Sequence, residues 1–350
     1  MTKYNYKILE KEWSNEYFNF ILNNLDKKLN WGQISCNCNI TWDIIKNNSD
    51  KPWDWFWVSY NPNITWENIK NNPDYNWNMH CISENKNITW DIVSNNKHYH
   101  WVIPLLIENK NMSLDIIKKY FLHKINRDLY HVSRNPNITW EFISSYNKNY
   151  FNWNALSLNQ NITFDNIKNN LDYNWNWKSI SMNPIITWDI IINNPQYNWV
   201  WSGISQNPNI TADIIHDNIT KPWSINIISN RVKGQTVLDN PKMKWCWFNL
   251  SANPNITWDI IKNNINYPWE LFAVSSNENI TFEIINNNLH MPWVWFNVSH
   301  NSMSRGKESW IHTQRIRIIK TLRIQRFYRE TAYNPIYKFA QKNLQNIIEK

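Results

Sequence analysis

The stretch NPNITWDIIKNN, residues 253–264, decides how this chain folds, because the chain keeps rewriting it. Close copies stand at 61–72 (NPNITWENIKNN), 85–96 (NKNITWDIVSNN) and 183–194 (NPIITWDIIINN). Aligned on the Ile-Thr step, the anchors fall at 40, 64, 88, 112, 138, 162, 186, 210, 232, 256 and 280. The spacing is 24 residues, apart from one step of 26 after 112 and one of 22 after 210. A degenerate unit starts near Glu16 and a truncated one near Met303. A period in this range marks a solenoid, propeller or array.

Each unit opens with a helix start. In the ten clear copies the anchor is Ile, or Met112 once, followed by Thr, or Ser113 once. Two residues on stands an acid: Asp43, Glu67, Asp91, Asp115, Glu141, Asp165, Asp189, Asp213, Asp259 or Glu283. The hydroxyl suits an N-cap and the carboxylate meets the positive end of the helix dipole. The anchor and the residue five further on, for example Ile40 and Ile45, make a hydrophobic staple. The helix stops at Asn-Asn pairs such as 47–48, 71–72 and 193–194, with Pro73 or Pro195 enforcing the end.

A second apolar segment follows, typified by Trp53, Trp55, Val58 and Ser59, or Trp199, Trp201, Ile204 and Ser205. Its spacings do not alternate as a strand requires, so we expect a short helix or 3-10 turn. An asparagine then recurs before each new unit: Asn37, Asn61, Asn85, Asn109, Asn135, Asn159, Asn183, Asn207, Asn253, Asn277 and Asn301. A side-chain amide held at one turn position can bond local backbone and its neighbours, so this column reads as an asparagine ladder. One unit cannot bury its apolar stripe alone, and stacking units buries each against the next. About a dozen layers at roughly 8–10 Å each predict a rod or superhelix on the order of 100 Å long.

The rhythm carried by Asn183, Pro184, Thr187, Ile190, Ile191, Asn194 and Pro195 resembles the leucine-rich repeat variant family. That resemblance implies 24-residue units in which an α-helix alternates with a 3-10 helix. Trp and Ile stand here where that family is rich in Leu, Val and Ala. The vocabulary of NPNITW, PWxW and a terminal IQRFYR also resembles tandem-repeat proteins of amoeba-infecting giant viruses of the Mimivirus type, over about residues 16–300 and the tail. That family implies no catalytic residues. The expected fold is therefore an all-α, right-handed α/3-10 solenoid of about twelve repeats. It comprises a lead-in at 1–15, the solenoid at 16–302 and a basic helical tail at 303–350.

Composition narrows the function. The chain has 350 residues with 63 Asn but only 4 Gly, and its 25 Trp, 16 Tyr and 13 Phe are incompatible with a disordered Asn-rich tract. No P-loop, GxGxxG, HExxH or GxSxG is present. Cys36 and Cys38 form a lone CxC, and His98 and His100 a pair without a third ligand, so no metal or cofactor is expected. Ten acids in one column fit the helix dipole better than catalysis, which needs one special pair. In the column of Trp42, Trp66 and Trp90 the place is taken by Leu114, Phe164 and Phe282, which points to core packing rather than base stacking.

The last fifty residues hold 11 Lys/Arg and 3 Asp/Glu of the chain's 36 and 28, leaving 25 of each elsewhere. The helical run 309–330 carries Arg315, Arg317, Lys320, Arg323, Arg326 and Arg329, a candidate site for nucleic acid or another acidic partner; otherwise it caps the solenoid. Asn334-Pro335 predicts a last helix to about Ile348. Ile324, Gln325 and Arg329 resemble half of an IQ motif, but Glu330 and Asn334 break the pattern, which argues against a calmodulin-like partner. With no signal peptide or apolar span, the expectation is an intracellular protein, in host cytoplasm or virion, with no membrane span. The expected function is a non-enzymatic scaffold binding a protein partner, with nucleic-acid binding through the tail as the alternative.

Overall fold

In the computed structural model, which describes residues 3–121 and 129–333, the chain is all-helical, with no strand among the described residues. The expected helix at 334–348 lies outside them. A 20-residue helix, Lys3–Leu22, opens the chain and a 30-residue helix, Ser304–Tyr333, follows the repeats. Between them each unit contributes two short helices. The first begins at the capping Thr: Thr41, Thr65, Thr187 and Thr257 accept a bond from the backbone N–H three residues on. Both members of the staple are buried, as with Ile40 and Ile45 or Ile280 and Ile285. The second segment is α-helical as well, for example Trp55–Tyr60 and Trp177–Met182. The 3-10 geometry expected there is confined, among the described residues, to Lys148–Tyr150 in a connecting loop.

The asparagine column is a ladder in the literal sense. Asn61 Nδ2 donates to the carbonyl of Asn37 (3.2 Å), Asn183 to that of Asn159 (3.1 Å), Asn207 to that of Asn183 (3.0 Å) and Asn277 to that of Asn253 (2.9 Å). Each Oδ1 turns the other way and accepts the N–H two residues on, as Asn61 does from Asn63 at 2.8 Å. A second asparagine, such as Asn63 or Asn87, reaches back to two further carbonyls of the preceding unit. The asparagine ending most first helices, such as Asn48, donates to the carbonyl four residues back, while the carbonyl of Asn48 receives the indole N–H of Trp53. Asparagine thus holds three separate structural posts in most units.

A serine column runs parallel to it. Ser59 Oγ donates to the carbonyl of Trp55 (2.7 Å) and accepts the N–H of Asn78 from the next unit (2.9 Å). At the 22-residue step the turn is two residues short, and Arg231 takes the asparagine post. Its guanidinium spans to the carbonyls of Ser205 (2.8 Å) and Ile210 (2.9 Å). Burial pushes its pKa down, yet a guanidinium keeps its charge.

The rod is not formed, because the ladder closes on itself. Asn37 Nδ2 donates to the carbonyls of Asn301 (3.2 Å) and Ser299 (3.4 Å), the same pair of bonds that Asn183 makes to Asn159 and Ser157. Asn39 reaches the carbonyl of Ser302 (2.7 Å), and the N–H of Asn30 meets Ser299 Oγ (3.1 Å) as the serine column requires. Helix Trp31–Cys36 packs on helix Trp295–His300 across the same seam. The units form a closed ring, so the stack of roughly 100 Å is a circumference rather than a length.

The terminal helices lock the seam. The end of Lys3–Leu22 supplies the first helix of the opening unit: Asn24 repeats the bond of Asn48, donating to the carbonyl of Phe20 (2.8 Å). Residues 3–15, expected as a lead-in, run in the same helix and bury Leu9 and Trp13. Tyr17, fully buried, accepts from Asn37 Nδ2 (3.0 Å) and donates to the carbonyl of Ser299 (3.4 Å); burial pushes its phenol far above the usual range. Met303 closes the last unit with φ 51°, a left-handed turn that redirects the chain into the terminal helix. Lys307 pairs with Glu10 at 3.5 Å between the two long helices.

Second helices of neighbouring units pack backbone to backbone, whereas aromatic side chains such as Trp42 and Trp77 lie between the units along the first helices. Since a ring is shorter around its inside, the second helices form the inner wall. Gly203 marks the tightest approach: a Cβ there would lie 2.5 Å from the carbonyl oxygen of Lys178. Gly203→Ala is expected to cost about 1–3 kcal/mol by overpacking, read as a lowered urea midpoint.

Candidate interaction surfaces on the ring and its basic helix

With the recurrent Asn, Ser and Thr spent on rungs and caps, the positions free to vary lie on the inner wall. In most units the second residue of the second helix is exposed there. Around most of the ring it is polar or small, as with His80, Asn154, Lys178 and Asn226, but one sector is aromatic. Phe248, Phe272 and Phe296 occupy three successive units at 49%, 49% and 54% exposure, so water rather than protein fills the space before them. Phe248 and Phe272 stack at 6.1 Å. The series crosses the seam, where Gly32 stands in place of an aromatic and Trp57 leans over it, its Cδ1 3.0 Å from where a Cβ would sit. Beyond lie Phe56 and Tyr60, both about half exposed.

Within this sector Asn297, buried between units, donates to the carbonyl of Phe272 (2.9 Å) and to Ser276 Oγ (2.8 Å). Its own Oδ1 is the buried side-chain polar atom left without a partner among the described residues. An orphaned acceptor calls for an explanation beyond folding, and here it coincides with the apolar wall.

The sequence candidates fall elsewhere. Arg315, Arg317, Lys320, Arg323 and Arg326 are exposed along the terminal helix; the side chain of Arg329 lies outside the described residues. The helix is anchored by Trp310 and Ile311, and from Ile319 to Tyr328 every side chain is exposed. It is therefore docked at its start and exposed along its basic half. Arg317 lines a cleft of about 480 Å³ with Trp13, Trp258, Asp259, Glu283 and Arg305 where the helix crosses the ring. Arg326 bonds Glu330 at 2.7 Å.

Cys36 and Cys38 line a pocket of about 320 Å³ at the seam with Glu278 and His300, but no three such groups lie close enough to share a metal ion among the described residues. Burial pushes both thiols above their usual range, which disfavours the reactive thiolate. The column of ten acids is exposed at the helix starts, with Asp43 paired to Lys11 at 2.9 Å and Asp165 to Lys168 at 2.7 Å. The Trp column packs between units: Trp42 lies 5.8 Å from Trp77 and Trp66 5.4 Å from Trp101. No helix of the described residues is long and apolar enough to cross a membrane.

Sequence reasoning found the basic run because charge is visible without a fold. It missed the aromatic sector, whose only signal is Phe at 248, 272 and 296, one period apart. No family model, curated protein or solved structure matches the chain.

Proposed function

We propose that this protein is a non-enzymatic interaction scaffold, a ring of twelve right-handed 24-residue repeats whose inner wall binds a segment of a protein partner. The observation that carries this is the aromatic sector of Phe248, Phe272, Phe296 and Phe56. Half-exposed aromatics contribute nothing to the ladders, and exposed apolar surface on a folded protein marks an interaction site. Twelve packed helices at about 8–10 Å spacing leave an opening on the order of 20 Å, room for a single helix of about 10–12 Å diameter. Aromatic anchors in a concave wall are the side chains that dominate protein interfaces. Four unpaired cysteines fit a reducing, intracellular setting.

The test is Phe272→Asp combined with Phe296→Asp in the full chain. Both side chains face solvent, so the melting curve is expected to move by less than about 1 kcal/mol equivalent. Capture of a specific protein from nuclease-treated lysate should be lost. Undiminished capture by the double variant would remove the inner wall from the proposal.

A further inference from the structure

The exposed half of the terminal helix is unrelated to the inner wall and has its own chemistry. Arg317, Lys320, Arg323 and Arg326 follow one another three residues apart, and Arg329 continues the series in sequence. Residues three apart on a helix are neighbours, about 5–6 Å between Cβ atoms, along a ridge inclined to the axis. The cations therefore wind around the helix instead of lining one face. Lys320 and Arg323 have no carboxylate within ion-pair distance among the described residues, and neither does Arg315. The ring beneath carries equal numbers of acidic and basic residues over 1–300, so the charge is concentrated in this arm.

A winding row of cations selects among acidic partners. An anionic membrane needs one apolar face to sink and one basic face to spread. Here Ile316, Ile319, Leu322 and Ile324 alternate with the cations around the whole circumference, so no such face exists. A protein groove likewise reads one stripe of a helix. A helix lying in the major groove of duplex DNA has phosphates on both sides, and only there does charge on most of the circumference find partners. The groove is about 12 Å wide and admits an α-helix, whereas that of duplex RNA is too narrow.

We infer that the basic half of the terminal helix is a DNA-binding arm, which lies in the major groove of B-form duplex and contacts its phosphates through Arg315, Lys320, Arg323 and Arg326. The contacts are to backbone, so binding is independent of sequence and steep in salt.

The test is fluorescence anisotropy of the full chain with a 25-base-pair DNA duplex between 50 and 200 mM salt. With four phosphates neutralised, log K is expected to fall against log salt with a slope near −4, about 0.9 per contact. Lys320→Gln with Arg323→Gln should reduce that slope by nearly 2 without changing the circular dichroism. Phe272→Asp with Phe296→Asp should leave it alone, which separates this arm from the inner-wall scaffold. Absence of binding at 50 mM salt overturns the inference, as does a slope untouched by the arm substitutions. Equal or tighter binding to duplex RNA of the same length, or to phosphatidylserine vesicles in place of DNA, overturns it as well.

Discussion

Asn207→Asp is expected to unfold the ring at neutral pH, although it exchanges one amide nitrogen for an oxygen. Asn207 is fully buried, and its Nδ2 donates to the carbonyls of Ser181 (3.0 Å), Asn183 (3.0 Å) and Ile186 (2.9 Å). A carboxylate there faces three carbonyl oxygens with no proton to offer, leaving a buried charge that has only the N–H of Asn209 to bond and stripping the carbonyl of Ser181 of its donor, while those of Asn183 and Ile186 keep one from Ile186 N–H and Asn209 Nδ2. Either defect alone costs several kcal/mol, and together they exceed about 4 kcal/mol, a large share of a domain's stability. Asn207→Ala removes the donors without adding a charge and should cost about 2–3 kcal/mol.

The pH dependence separates these two causes. The aspartate's folded pKa must lie above its unfolded value of about 3.9, because the site disfavours the anion. The folded state then binds more protons between the two values, so stability falls as pH rises through that window. The deficit relative to the unsubstituted chain should be largest above the folded pKa and smallest below the unfolded one, where the protonated carboxyl restores one donor. Urea midpoints at pH 4 and pH 7 measure this. A deficit equal at both would show that the carbonyls tolerate the charge, and with it that the ladder is not the rigid element it is taken for here.

What could be read from the sequence divides along a physical line. Thr41, Ile40, Ile45 and Asn48 act on groups within a few residues, so their chemistry is local and repetition makes it legible. Asn61 acts on the preceding unit, and its column was recognisable because a buried amide at a fixed turn position has few other uses. Ser59 does the same work with a hydroxyl, but serine serves in so many settings that its column carried no signal of its role. Closure is a different matter. A ring of about a dozen units, as proposed, requires about 30° of rotation per unit, whereas a few degrees more or less yields an open superhelix from the same local contacts. No single residue encodes that sum. The one residue-level sign of closure was at the ends, where Tyr17 and Trp13 stand buried against residues more than 260 positions away. The charge of the terminal helix was legible and its exposure was not, because exposure from Ile319 onward depends on where the ring stops covering it.

Trp13→Ala tests the closed ring at the place where it is made. Trp13 is 1% exposed, donates its indole N–H to Asn39 Oδ1 at 3.1 Å, and packs on Phe282 at 4.9 Å and Trp310 at 5.7 Å. It therefore touches the opening unit, the closing unit and the terminal helix together. Truncating a buried Trp costs about 3–5 kcal/mol, but the distribution of that loss matters more than its size. In an open solenoid each unit contacts only its neighbours, so a defect at the first unit frays that end and leaves the far end protected. In a ring the same defect releases both sides of one interface. Hydrogen exchange is expected to show protection falling in residues 30–48 and equally in 280–303, with the opposite arc around Ile162–Ile186 little changed. Scattering should report a larger radius of gyration as the ring springs open. Loss confined to 3–48 would mean that the bonds from Asn37 and Asn39 to Asn301 and Ser302 contribute little, and that the chain behaves in solution as a strip whose ends merely meet.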